Sequence, residues 1–300
     1  MSLLASLLGL SLALTSPAQQ VTPQTPPADQ PATVPDVEVE GRHQSAYETA
    51  RSFVEEVSRT PRSRGLARWD GRICVGIANM QTSIAQPLID RMSSRILDLG
   101  LDVGEPGCRP NVLVVATDDG QGMARGLVRA RYHTFQPGVS GTRLSLPALR
   151  AFQTTDAPVR WWRLTLPVDA MTGDITVRMP NWEPSMRDIR YPSRLRTQDR
   201  NIFNQVFIIV DVAKLQDIDV GALGDYLTMV SLAQIDADAE VSGYGSILNL
   251  FDDPTAPREL TDWDQTYLRA LYVAELNERI VSHQMGQLAR LMARDPEAAE

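Results

Sequence analysis

Two short apolar runs, Ile73-Cys74-Val75-Gly76-Ile77 and Val112-Leu113-Val114-Val115, flank a segment of residues 82–99. Within it Ile84, Leu88, Met92, Ile96 and Leu99 recur at helical spacing. Runs this short and apolar read as buried strands, and the gap between them is far too long for a hairpin. The connection is a helical crossover, closed by Gly100, which lays the two strands parallel and side by side. A third run, Val206-Phe207-Ile208-Ile209-Val210, is the strongest strand signal in the chain. With 300 residues, 43% of them hydrophobic, the chain can bury one sizeable core. The fold class expected is α/β or α+β: a single core with a mixed sheet flanked by helices.

Helical spacing also marks residues 43–58, through Tyr47, Ala50, Phe53, Val54 and Val57, and a short segment from 123 to 131. A further helix spans about 220–235, carrying Leu223, Leu227, Val230 and Ile235, with Asp219 as its N-cap. Thr261 followed by Asp264 resembles a capping box. The stripe Leu268, Leu271, Tyr272, Leu276, Ile280, Leu288 and Leu291 predicts one helix continuing almost to the C-terminus. Residues 135–200 are punctuated by Pro137, Pro147, Pro158, Pro167, Pro180, Pro184 and Pro192 and read as a β- or loop-rich insert. Strand-like runs at 161–166 and 175–179 lie within it. The domain is accordingly placed at 42–277, with 278–300 a helical extension and tail.

The opening run reaches Leu14 and is followed by Ser16 and Ala18, small residues at the -3 and -1 positions of a cleavage site before Gln19. Residues 1–18 read as a secretory signal peptide, although no Lys or Arg precedes the apolar stretch. Residues 19–41, rich in Pro, Gln, Thr and Ala, read as a disordered tether. No run of 18 apolar residues exists, so no ordinary transmembrane span is expected. A periplasmic or secreted location makes the two cysteines interpretable. Cys74 and Cys108 both stand near the starts of the paired strands, where a disulfide is geometrically reasonable. It would close a loop of about 34 residues and stabilise by roughly 3–4 kcal/mol in the chain-entropy model. The alternative is two unpaired buried thiols.

Net charge is -8, which argues against a nucleic-acid-coating protein. Lys214 is the sole lysine, and the three histidines, His43, His133 and His283, are scattered. No zinc triad assembles at recognisable spacing, and no metal or cofactor is called for. Gly120-Gln121-Gly122-Met123-Ala124-Arg125-Gly126 follows a strand and opens a helix as a phosphate loop would. Its spacing departs from the dinucleotide fingerprint, and glycine also suits a tight turn. Asp236-Ala237-Asp238-Ala239-Glu240 begins like a calcium loop, but Val241 and Ile247 stand where Gly and Glu are required. Ser242 and Ser246 lie in no G-x-S-x-G. Asp262 and Asp264 suit the first turn of a helix.

The best binding candidate is Arg160-Trp161-Trp162-Arg163 together with Arg178, Trp182 and the arginines to Arg200, residue types that stack on and pair with an anionic or sugar polymer. Strand alternation places one tryptophan of the pair in the core and one outside. The site expected is Trp161, Trp162, Arg163 and Arg178, with structural aromatics as the competing reading.

The C-terminal third, through Leu223-Gly224-Asp225-Tyr226-Leu227-Thr228-Met229-Val230, Ser246-Ile247-Leu248-Asn249-Leu250-Phe251 and the stretch from Leu260 to Tyr272, resembles a family of uncharacterised exported proteins of Gram-negative bacteria. More distantly it resembles zincin-like domains, in which an active-site helix is followed by a loop and a packing helix. A working zincin carries two His and a Glu on that helix. Here Asp225, Tyr226, Met229 and Val230 occupy it, and no ligand transfers. The resemblance implies a metal-free relative that kept the scaffold. The function expected is a non-catalytic binding or scaffold domain of the cell envelope, with an envelope protein or polymer as partner. The alternative is a divergent zincin-like metallohydrolase using carboxylates such as Asp225 and Asp236.

Overall fold

The computed structural model describes residues 45–60, 64–136, 144–178 and 193–294. The signal segment, the tether, His43, Trp182, Arg187 and Arg190 lie outside the described residues.

The crossover expected between the first two apolar runs is present. Strand β2 (Val75–Ala78) leads through helix α2 (Thr82–Asp98) to β3 (Val112–Thr117), and the strands pair in parallel, Val75 opposite Val112. Cys74 and Cys108 are disulfide-bonded with Cα atoms 6.1 Å apart. Gly104 is glycine because a Cβ there would run into the Cys108 sulfur. The third run is the core of β5 (Asp199–Asp211), parallel to β3 through Val112–Val206 and to the two-residue β1 (Ala67–Arg68) at its other end. Antiparallel to β5, on its remaining side, runs β4 (Val159–Asp169). The described sheet is therefore a mixed one of five strands.

Strand alternation divides the core in two. Val112, Val114, Val206, Ile208 and Val210 face a layer of α1 (Ala46–Val57), α2, α6 (Val220–Leu232), α7 (Asp262–Val273) and α8 (Val281–Met292). Phe207 and Ile209 face α3 (Gly120–Ala130), α4 (Tyr132–Phe135) and α5 (Leu146–Thr154). Helix α6 is buried all round from Ala222 to Leu232, as expected of a helix apolar on every side. Asp219 caps it by accepting from Ala222 N at 2.8 Å. Gly224 admits Arg91 to within 2.8 Å of where a Cβ would stand.

Two elements differ from the sequence expectation. The single C-terminal helix is two helices, α7 and α8, because the segment between them gives its backbone groups to a distant partner. Thr197 N donates to the Asn277 carbonyl at 2.6 Å and Arg279 N to the Leu195 carbonyl at 2.9 Å, and Arg196 bridges to Glu278. Leu288, Ala289 and Met292 of α8 are buried in the same core as α1. Within the segment read as β- or loop-rich, residues 146–154 are helical. Ser145 caps α5 by accepting from Ala148 N at 3.3 Å, and Pro147 sits in the first turn, where no donor is needed.

Candidate functional site

The site forms along β4, which is an edge strand of the sheet among the described residues. The Asp211 N–H donates to the Pro158 carbonyl at 2.8 Å, which fixes the alternation. The backbone groups of residues 158, 160 and 162 face β5, and those of Val159, Trp161 and Arg163 face outward. Further along, the Pro167 carbonyl accepts from Thr176 N at 3.0 Å, so Pro167 also faces outward, at a position where it has no N–H to offer. Among the described residues, no backbone group of Val159, Trp161 or Arg163 on that outward edge has a hydrogen-bond partner.

A narrow cleft of about 160 Å³ lies over this edge. One wall is aromatic: Trp161 packs edge-on against Tyr226 with ring centroids 6.3 Å apart, and Tyr226 against Phe251 at 4.8 Å. Burial pushes the Tyr226 phenol well above its ordinary pKa, so it stays neutral. The other wall is the small-residue face of α5, with Ala148, Ala151 and Thr155. The rim is pinned by Arg59, whose Nη1 pairs with Asp236 at 2.5 Å and with Asp238 at 3.1 Å. The two carboxylates that opened like a calcium loop are thus tied to an arginine.

The four residues expected at a binding surface do not share one surface. Trp161 is half-buried, with Nε1 donating to the Ile235 carbonyl at 3.2 Å. Trp162 is 1% exposed and points to the opposite face, among Phe135, Phe152 and Leu164. Arg163 is interior: Nη1 donates to the Ala233 carbonyl at 2.7 Å and Nη2 to the Ile235 carbonyl at 2.5 Å. Among the described residues no carboxylate touches it, and burial pushes its pKa down to about 9. Arg178 is exposed, beyond the turn that returns Ile175 to Val168. Trp161, Trp162 and Arg163 all line the cleft; Arg178 does not.

The remaining sequence candidates have structural occupations. Asp225 is fully buried and receives two guanidinium forks, from Arg91 (2.7 and 2.7 Å) and Arg95 (3.1 and 2.9 Å), plus the Leu260 N–H at 2.8 Å. Burial alone would raise its pKa, but these donors outweigh it and hold the carboxylate below its ordinary range. Asp236 belongs to the Arg59 rim, so the two carboxylates have separate partners. Ser246 donates to Asp264 at 2.5 Å, inside the capping box that Thr261 and Asp264 form as expected. At the glycine loop, Asp119 accepts from Gly122 N at 2.7 Å and Asp211 from Gly120 N at 3.3 Å, so the chain's own carboxylates occupy the start of α3. His133 and His283 lie on α4 and α8, and no group of three His, Cys, Asp or Glu among the described residues is placed to hold a metal.

Sequence reasoning missed Arg59, Tyr226, Phe251 and the α5 wall. Tyr226 and Phe251 sit in apolar segments that read only as core. The α5 wall had a usable signal, Ser145 followed by Pro147, the N-cap and first-turn proline of a helix. Comparison with protein-family models, curated proteins and solved structures found no match, so the resemblance drawn from residues 223–272 remains an expectation from the sequence.

Proposed function

We propose that this chain is a non-catalytic binding domain of the cell envelope, and that its ligand is an extended stretch of another polypeptide laid against the outer edge of β4. The observation that carries the reading is the row of outward backbone groups at Val159, Trp161 and Arg163, without hydrogen-bond partners among the described residues and set in a cleft. Unpaired backbone groups in a confined place cost free energy that an added strand recovers. Edge pairing supplies affinity in this mode, and flanking pockets read alternate side chains. The aromatic wall and the alanine wall stand on the two sides where those side chains would fall. An oxidising compartment is supported by the opening apolar run and by the Cys74–Cys108 bridge.

The test is capture from an array of unstructured heptapeptides, followed by residue-resolved amide exchange of the complex. Captured peptides are expected to slow exchange at the Trp161 and Arg163 amides, and Ala151→Arg, which fills the cleft, is expected to abolish capture. Capture with those amides unprotected, or no capture at all, would overturn the reading.

A further inference from the structure

A second cleft lies on the far side of α5, between it and α3, with a volume of about 470 Å³. Among the described residues its charges are Arg125 and Arg129 from α3 and Arg150 from α5, and no carboxylate lines it. Arg125 makes one long hydrogen bond, to Gln121 Oε1 at 3.4 Å, and among the described residues Arg129 and Arg150 make no ion pair and donate no side-chain hydrogen bond. Other exposed or half-exposed arginines of this acidic chain find acids, as Arg51 does with Glu55, Arg196 with Glu275 and Arg200 with Asp70. Residues 137–143, which join α4 to α5, contain no carboxylate either. Arg125 and Arg129 stand four apart on one helix, an arrangement that costs stability without a counter-charge. Between low-dielectric walls such a cluster concentrates positive potential.

The floor of the cleft is not polar. Val128 and Leu149 are buried beneath it, while Leu146 and Tyr132 stand at its margin, 53% and 52% exposed. Guanidinium forks match the oxygens of a phosphate, and an apolar floor beside them takes an apolar substituent. We infer that this cleft binds a small organic phosphate monoester, with the phosphate held by Arg129 and Arg150 and its apolar ester group against Leu146, Leu149 and Tyr132. The inference is independent of the β4 edge, which lies on the other face of α5.

Titration of the full chain with octyl phosphate, followed by calorimetry, tests it, with inorganic phosphate and octanol as comparators. Octyl phosphate is expected to bind, inorganic phosphate about 10-fold or more weakly, and octanol not measurably. Arg129→Gln and Arg150→Gln, both exposed positions that leave the core intact, should each weaken octyl phosphate about 10-fold. Absence of octyl phosphate binding would overturn the inference, as would equal binding by the wild type and the double variant. Sedimentation with vesicles containing phosphatidic acid, undiminished by octyl phosphate, would overturn it in favour of a membrane surface. Unchanged peptide capture in the double variant is expected, which keeps a failure here distinct from a failure at β4.

Discussion

Arg160 and Arg163 lie three residues apart on one strand, are 2% and 5% exposed, and point to opposite faces of the sheet. Toward α6, Arg163 meets two carbonyl oxygens offered by the chain just past the end of that helix. Toward α3, Arg160 makes one bond among the described residues, Nη2 to the Ala157 carbonyl at 3.2 Å, and its Nε and Nη1 are buried without partners there. Asp211, which accepts from the glycine at the start of α3, leaves its Oδ1 without a partner among the described residues. Exposure is nearly equal at the two arginines, so exposure alone does not separate their energetic roles. Supply of acceptors does. Toward α6 Arg163 is finished with backbone acceptors, and the face toward α3 is held by rings: Phe135 stacks on Phe207 at 4.8 Å, with Phe152 and Trp162 beside them.

The contrast can be broken or sharpened by substitution. Asp225→Asn should have the largest effect, roughly 3–5 kcal/mol by denaturant unfolding, because it leaves Arg91 and Arg95 without their counter-charge. Its pH dependence has a defined sign. A carboxylate whose folded pKa is depressed contributes stability above its unfolded value, near 3.9, and loses it as pH falls through the folded value. The variant should therefore lack that acid-side loss of Tm. Arg163→Met should cost about 1–3 kcal/mol, since the Ala233 carbonyl is left unpaired in the interior and the Ile235 carbonyl keeps only Trp161 Nε1. On the other face, Trp162→Phe should cost no more than about 1.5 kcal/mol, because its indole Nε1 has no partner to lose and the change is one of volume among aromatic neighbours. Arg160→Met should be smallest, within about 1 kcal/mol of neutral, because most of its donors are unmet. Equal losses at Arg160 and Arg163 would erase the distinction between the faces.

What could be read from the sequence followed from how local each signal is. The crossover, the cysteine pair, the Asp219 cap and the Thr261–Asp264 capping box all rest on neighbours within a turn or on adjacent strand starts. Strand alternation puts the two tryptophans on opposite faces, but neither lies outside as expected: Trp161 packs against the α6-side core and Trp162 is buried among the rings of the other face, because both faces of the sheet are covered. The break between α7 and α8 was not legible, because the apolar stripe continues through Leu276 while the backbone is claimed by residues 195–197. Nor was the burial of Arg163, whose acceptors lie 70 and 72 residues away. The prolines misled for a related reason. Pro147 and Pro167 break nothing, as one opens a helix and the other faces away from the ladder.

Pro167 also sets how far the open edge can grow. Between Pro158 and Pro167 the outward row begins with the donors of Val159, Trp161 and Arg163, and past Pro167 the edge is taken by the return of Ile175. A row this short, stopped by a residue with nothing to donate and walled by helix on one side and loop on the other, cannot template molecule after molecule into a continuous sheet. Pro167 thus keeps its place in the ladder to β5 while offering no donor on the other side, which makes the outward edge seen among the described residues a poor seed for a fibre.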